Sequence, residues 1–155
     1  MDFKKEAIHH LADARIANIY AENHEFVILD ALISKQPDGS WPSEMLDNWL
    51  MQTTHIMINV AEKVSVYISE YNAEYSFRLM YEYHMYHELR DKKLTSADSE
   101  RFAKEAGMQH RINELVASEV ADRLKSKEKA VFQMISVVQT RLSNLRQERG
   151  YTKHQ

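Results

Sequence analysis

The sequence contains no cysteine, and only two prolines and three glycines among its 155 residues. The absence of cysteine excludes disulfide bonds and thiolate chemistry. Pro37, Gly39 and Pro42 lie close together, so only Gly107 interrupts the long segment between Pro42 and Gly150. A segment with so few helix-breaking residues is expected to be helical.

The chain also lacks a long apolar run. No stretch approaches the roughly 20 apolar residues of a membrane-spanning helix, and the first residues, MDFKKE, lack the apolar segment of a signal peptide. There is no glycine-rich phosphate loop and no serine in a glycine-rich nucleophile elbow. We therefore expect a cytoplasmic, non-enzymatic protein without a cofactor, which by its length forms a single domain, 1–155.

Turn residues divide the chain into three predicted helices. The first covers 1–36 and ends at the loop 37–42, where proline and Asp-Gly favour a turn. The second covers 43–92, with Ser43 as its N-cap. Its apolar residues recur in steps of three and four, as in a coiled coil. They are Leu46, Leu50, Met57, Val60, Val64, Tyr67 and Tyr71.

The third helix is predicted over 95–149. It begins near Thr95 or Ser96, whose hydroxyls can cap it, and Gly150 ends it as a C′ residue, leaving a tail at 150–155. Its last apolar positions follow strict heptad spacing: Val131, Ile135, Val138, Leu142 and Leu145. The sequence therefore predicts an all-α fold. We expect an elongated hairpin of two long helices with coiled-coil-like packing, and an additional N-terminal helix.

Charge is distributed unevenly along the chain. Residues 1–77 contain 5 Lys+Arg against 12 Asp+Glu, and residues 78–155 contain 15 against 11, which gives −7 and +4. This asymmetry is typical of a surface that binds polyanions or of an acidic surface that docks a partner, but also of solvated helix faces. The candidate phosphate-binding cations follow the predicted hairpin turn and the third helix. They are Lys92, Lys93, Arg101, Lys104, Arg111, Arg123, Lys125, Lys127 and Lys129.

Six tyrosines between positions 67 and 86 form a second candidate contact. Tyr81, Tyr83 and Tyr86 lie near Arg78 and Arg90 in the sequence, and such aromatic rings can stack on nucleic-acid bases. A stripe of tyrosine and methionine is more often part of a core or of a seam between subunits. Both interpretations stay open at this point.

Two spacings have the form of metal-binding motifs. Glu6-x-x-His9 matches one carboxylate–imidazole pair of a di-iron bundle, and His84-x-x-His87 places two imidazoles on one helix face. A di-iron bundle needs two Glu-x-x-His pairs and two further carboxylates, and the sequence has one such pair. We therefore predict surface histidines and no bound metal.

Two segments carry a resemblance to a known family. The predicted second helix leads into the stretch KKLTSADSERFA, which begins at Lys92. The third helix then contains the stretch QMISVVQTRL, which begins at Gln133, towards its end. Over about residues 43–150 this pattern resembles small helical-hairpin proteins of bacteriophages, among them the recombination mediator proteins of T-even phages. The resemblance implies a homo-oligomeric ring that binds single-stranded DNA. It also implies loading of a recombinase onto strands covered by single-strand-binding protein.

These observations lead to two functional hypotheses. The first is an oligomeric accessory protein that binds single-stranded DNA and acts as a recombination mediator, with a recombinase or a single-strand-binding protein as partner. The alternative is a protein-interaction module, a helical adaptor, scaffold or inhibitor that docks an unidentified protein through its acidic N-terminal half. Neither hypothesis requires a membrane or a metal.

Overall fold

The computed structural model describes residues 3–152, and the side chains of residues 5–148, as an all-α protein, which confirms the predicted fold class. The described residues form α1 (Phe3–Glu22), α2 (His24–Ser34), α3 (Ser43–Asp91), α4 (Ser96–Ala106) and α5 (Met108–Thr152). Within this part of the chain, no helix is long and apolar enough to cross a membrane.

The predicted helix over 1–36 is interrupted at Asn23, so the prediction of a single helix in this segment was wrong. At Asn23 the backbone is extended (φ −126°, ψ 93°). The backbone N–H and the side-chain amide of Asn23 both donate to the carbonyl of Ile19, at 2.9 and 2.8 Å. The backbone bond is the last helical one of α1, and the side-chain amide adds a second donor to the same carbonyl. Asparagine favours such helix ends over helix interiors, so the break requires neither proline nor glycine.

The predicted helix over 95–149 is likewise divided, at Gly107. A Cβ atom at this position would lie 3.0 Å from Cγ of Glu82 and 3.3 Å from the carbonyl oxygen of Ala103. The missing side chain therefore allows α3 to approach the turn between α4 and α5 closely. The close approach of Glu82 and of the Ala103 carbonyl together explain why glycine occupies this turn.

The predicted helix end at Gly150 was wrong, because α5 continues to Thr152. A glycine inside a helix costs only about 1 kcal/mol relative to alanine, and a long helix tolerates it. The predicted tail at 150–155 is thus helical as far as residue 152, and residues 153–155 lie outside the described part of the chain.

The turn between α3 and α4 is built from two helix caps. Lys93 ends α3 with a positive φ of 65°, and the N–H of Leu94 donates to the carbonyl of Leu89 at 3.3 Å. This pairing has the form of a Schellman motif. Thr95 then caps α4, with its hydroxyl oxygen accepting from the N–H of Asp98 at 3.2 Å. The predicted helix start near Thr95 or Ser96 is confirmed.

The helices form two compact units. Met1–Ala17 and Ser65–Arg123 make up the first unit, and Asn18–Val64 and Leu124–Gln155 make up the second unit. α3 passes from the second unit into the first at Val64, and α5 returns to the second unit at Leu124.

The second unit has a core of large apolar side chains. Its buried residues come from α1, α2, α3 and α5: Ile19, Phe26, Leu29, Leu46, Trp49, Met57, Val60, Val64, Leu124, Val131, Ile135, Val138 and Leu142. The buried residues of α5 include four of the five positions with predicted heptad spacing. Arg141 donates to the backbone carbonyls of Asp38 and Gly39 and so fixes the loop between α2 and α3.

The first unit buries mainly small side chains: Ala12, Ser99, Ala103, Val120 and Ala121. Beside them lies an ion-pair cluster, in which Arg78 of α3 donates to Glu82 at 3.1 Å and to Glu114 of α5. The three side chains of this cluster are only 14–17% exposed. The hydrogen bond to Glu114, followed by that to Glu82, raises the pKa of Arg78 despite its partial burial.

Trp49 provides a test of the second unit's packing. Its side chain is 4% exposed, and its indole N–H donates to the carbonyl of Leu32 at 3.0 Å. We expect Trp49→Phe to lower the free energy of unfolding by about 1–2 kcal/mol, because the hydrogen bond and part of the ring are lost. Urea denaturation followed by circular dichroism measures the change. Met51→Ala, at a 68% exposed position two residues away, is the control and should shift stability by less than about 0.5 kcal/mol.

Candidate nucleic-acid interface

Most of the nine predicted phosphate-binding cations have carboxylate partners within the chain. Three of them pair with near neighbours on their own helix or turn: Lys92 with Glu88, Arg101 with Asp98 and Lys104 with Glu100. The two lysine pairs lower the pKa of the carboxyl groups of Glu88 and Glu100. All six side chains are largely exposed, so these pairs contribute little to stability.

Arg123 is held more firmly, within the first unit. It donates to Asp13 of α1 at 2.5 Å and to Glu119 of its own helix at 2.8 Å. His9 also lies 3.1 Å from Glu119. The hydrogen bond from Arg123 lowers the pKa of Asp13, and the hydrogen bonds to Asp13 and Glu119 raise the pKa of Arg123. The guanidinium group therefore connects α5 to α1.

Lys127 has an equivalent position in the second unit. Its ammonium group donates to the carboxylate of Asp30 and to the hydroxyl of Tyr20, and it lies 4.8 Å from the centre of the Tyr20 ring. Partial burial acts to lower the pKa of Lys127, but the hydrogen bonds to Asp30 and Tyr20 outweigh it, so the pKa is raised. Lys127 thus fastens α5 to α1 and α2.

These contacts give the charge asymmetry of the sequence an intramolecular explanation. Acidic residues of the N-terminal half pair with basic residues of the C-terminal half at Asp13–Arg123, at Asp30–Lys127 and at Asp47–Arg146, the last at 2.8 Å. Two of the predicted DNA contacts, Arg123 and Lys127, and three carboxylates of the predicted acidic docking surface are therefore committed to partners in the same chain. Fewer charged side chains are therefore free to bind DNA or a partner protein than the sequence indicates.

Four of the predicted cations have no carboxylate partner among the side chains that the structure describes: Lys93, Arg111, Lys125 and Lys129. Lys93 and Arg111 belong to the first unit, whereas Lys125 and Lys129 lie one turn apart on α5 in the second unit. The structure therefore brings together only the last two as a local pair of free cations.

A shallow depression of about 410 Å³ adjoins Lys125 and Lys129. Its remaining lining is Glu128, Phe132, Gln133 and Ser136, all on the same face of α5. Phe132 is 50% exposed. An exposed aromatic ring beside two ammonium groups and neutral hydrogen-bonding side chains can accept a stacked base and its phosphates. Sequence reasoning did not single out Phe132; its position seven residues after Lys125, on the same helical face, was the available signal.

The predicted stacking tyrosines all contact other side chains of the first unit. Tyr81 lies against the ring of His110, with 4.7 Å between ring centres, and Tyr83 lies against His87 at 4.3 Å. Tyr86 is half-buried and shares a hydrogen bond of 3.0 Å with Ser96. Tyr83 is the most exposed of the three, at 61%.

Histidines of the two motifs with metal-binding spacing contact other side chains of the chain. His9 faces the Glu119 carboxylate, and His87 contacts the rings of Tyr83 and Tyr86. Within residues 5–148, no group of three or more His, Cys, Asp or Glu side chains is arranged to hold a metal ion.

Comparisons with family models, with curated proteins and with solved structures find no match to this chain.

The lysines and arginines of α5 provide a test of which cations are structural. We expect Arg123→Gln and Lys127→Gln each to lower the free energy of unfolding by about 1 kcal/mol, because each leaves a carboxylate without its partner. Lys125→Gln and Lys129→Gln make the same kind of change on the same helix and should alter stability by less than about 0.5 kcal/mol. Equal losses for all four would contradict the distinction.

The lowered pKa of Asp13 gives the Arg123 pair a pH dependence. Its contribution to stability is complete above the ordinary pKa of an aspartate and is lost as the pH falls through the lowered folded-state value. We therefore expect thermal melts of Arg123→Gln to approach those of the unaltered protein on acidification below about pH 4. A difference that stays constant down to pH 2.5 would contradict the assignment.

Proposed function

We propose that the protein is a non-enzymatic, oligomeric accessory protein that binds single-stranded DNA through the exposed face of α5 in the second unit. The observation that carries the proposal is the grouping of Lys125, Lys129 and Phe132. Two unpaired ammonium groups and one exposed ring on consecutive turns match what a single strand offers, namely regularly spaced phosphates and unstacked bases.

The spacing of these side chains fits contacts to the backbone of one strand and to an unstacked base. Lys125 and Lys129 are four residues apart, which is about 6 Å along the helix, close to the distance between successive phosphates of a strand. Phe132 follows within one further turn, so a base can stack there while its phosphates contact the lysines. Stacking of this kind tolerates every base, because each base has an aromatic face.

The affinity of one chain is expected to be modest. Glu128 lines the same depression, so the two lysines and one glutamate together contribute only one net positive charge. Several copies bound to one strand would raise the effective affinity by orders of magnitude without any additional contact. The proposal therefore includes a homo-oligomer, and it retains the predicted hairpin of two long helices with coiled-coil-like packing.

The resemblance to phage recombination mediators supports a specific role. A protein of that kind holds single-stranded DNA and passes it to a recombinase in place of single-strand-binding protein. We propose the same class of activity here, with the recombinase and the single-strand-binding protein as partners. Lys93 and Arg111 in the first unit, which also have no carboxylate partner among the described side chains, are secondary candidates for phosphate contacts.

Fluorescence anisotropy of a labelled oligothymidine tests the proposal. We expect the affinity to fall steeply between about 50 and 200 mM salt, and Lys125→Gln/Lys129→Gln to reduce the log–log salt slope by roughly 1.4 per bound chain. Phe132→Ala should weaken binding by about 5-fold or more, because stacking on an aromatic ring is worth roughly 1–3 kcal/mol per base.

Lys5→Gln/Lys35→Gln is the matched control, since it removes the same charge at two exposed positions that are not part of α5. It should retain nearly all of the binding. Absence of binding at 50 mM salt would contradict DNA binding and favour the alternative of a helical adaptor. Equal losses in the control and in the α5 variant would show that net charge, and not this face, determines binding.

A further inference from the structure

The outer face of α3 in the first unit carries a second heptad pattern. Its positions follow steps of three and four residues over about 32 Å of helix: Val66, Ser69, Ala73, Ser76, Met80, Tyr83 and His87. All seven side chains are exposed, and those of Val66, Met80 and Tyr83 are 56%, 57% and 61% exposed. A heptad repeat of this length is the pattern by which one helix packs along another.

This exposed heptad face contains no formal charge. Glu70, Phe77 and His84 lie along one edge of the seven heptad positions; Phe77 is 59% exposed, and the Glu70 carboxylate is paired with Arg15 at 3.0 Å. Across six turns the face has no Asp, Glu, Lys or Arg, although 28% of the protein's residues are charged. Depletion of charge with enrichment in Met, Tyr and Phe is the composition of the centre of a protein–protein interface.

The opposite side of the same helix segment faces the interior of the first unit and carries charged and tyrosine side chains beside the apolar Ile68, Met85 and Leu89. Its half-buried positions include Tyr67, Tyr71, Glu74, Arg78 and Glu82. Three charged side chains of the segment, Glu74, Arg78 and Glu82, thus lie on the inner side, while the large side chains of Val66, Met80 and Tyr83 lie outward. Large apolar side chains on the outer face are expected when that face is itself buried in an assembly.

The heptad face is also complementary to itself. Its first half is made mostly of small residues, Ser69, Ala73 and Ser76, and its second half contains the bulky Met80 and Tyr83. If two copies of the helix lie antiparallel about a two-fold axis, the bulky half of each meets the small half of the other. A two-fold interface requires such self-complementarity, because each residue that contacts a second one is contacted by it in return.

We propose that α3 of one chain pairs antiparallel with α3 of a second copy through this heptad face. The two-fold axis passes between residues 74 and 75, so that Ala73 lies opposite the partner's Ser76. In the same register Ser69 lies opposite the partner's Met80, and Val66 lies opposite the partner's Tyr83. Each layer joins residues in the alternating heptad positions that antiparallel helices place together. The small residues at the axis allow the two backbones to approach closely.

A second copy fits the heptad face better than an unrelated partner. Binding of an unrelated protein does not require the two halves of this face to be complementary. Binding of a second copy does require it, and the small half and the bulky half of the face are complementary. The uncharged surface also removes the electrostatic repulsion that two identical charged faces would meet. The inference goes beyond DNA binding, which a different face on α5 carries, so the two proposals can fail separately.

Cysteine cross-linking tests the register, because the chain has no cysteine of its own. We expect a mixture of Ala73→Cys and Ser76→Cys chains, distinguished by a size tag, to form a mixed disulfide on mild oxidation. The mixed product should exceed either homodisulfide by at least fivefold. Lys104→Cys, at an exposed position on α4 in the same unit, is the control and should not cross-link. Predominant Ala73→Cys homodisulfides would overturn the antiparallel register in favour of a parallel one.

Light scattering tests the surface itself. We expect the unaltered protein to be larger than the 18.2 kDa of one chain, and Met80→Glu to reduce the measured mass at least twofold. Leu79→Glu is the matched control, because residue 79 is 43% exposed on the same helix but lies about 100° away from the centre of the face. Circular dichroism establishes that both variants keep their helix content.

The remaining outcomes are also decisive. A protein that is monomeric at 100 µM would overturn the proposal, and so would an oligomer that Met80→Glu leaves intact, since assembly would then use another surface. In the oligothymidine assay, Met80→Glu should keep a salt-dependent contact while losing the gain from multiple chains. Loss of assembly is therefore distinguishable from loss of the α5 site.

Discussion

One continuous helix, α3, contributes to the interiors of both units, and the rest of the structure depends on which of its side chains are buried in each unit. Up to Val64 the inward face of α3 is apolar and supplies Leu46, Met57 and Val60 to a core of large side chains. Beyond Val64 the inward face carries tyrosines and the Arg78–Glu82 pair beside a few half-buried apolar side chains, while Val66, Phe77 and Met80 are exposed. Hydrophobic burial within the chain therefore stabilises the second unit far more than the first.

The first unit compensates for its smaller hydrophobic burial in two ways. Its interior is built from small residues that allow close helix packing, and its half-buried ion pairs are satisfied by partners on neighbouring helices. Ion pairs of this kind contribute modestly to stability but strongly disfavour other packings, because a partly buried charge without its partner is costly. Together with the exposed heptad face, these features are consistent with a unit that completes its hydrophobic burial in an assembly, as we propose.

The ion pairs between the N-terminal and C-terminal halves change how the charge of the sequence is understood. A count of charges along the chain indicates two opposite surfaces, each free to bind a partner. In the folded chain, Asp13, Asp30 and Asp47 neutralise Arg123, Lys127 and Arg146. What remains for an external anion is a smaller set centred on Lys125 and Lys129. A functional prediction from net charge alone overestimates the binding surface by counting cations that stabilise the fold.

The sequence by itself determined the helical class, because so few prolines and glycines leave few turns, and uninterrupted segments of this length form helices rather than strands. It also determined the start of α4, since the Thr95 cap is a local hydrogen bond within four residues. The break at Asn23 and the turn at Gly107 were decided by backbone geometry and by the approach of Glu82, which spacing and composition do not report. The tertiary structure likewise decided which cations form ion pairs within the chain and which have no carboxylate partner. Lys125 and Lys127 are two residues apart and chemically identical, and only the position of Asp30, 97 residues away, distinguishes them.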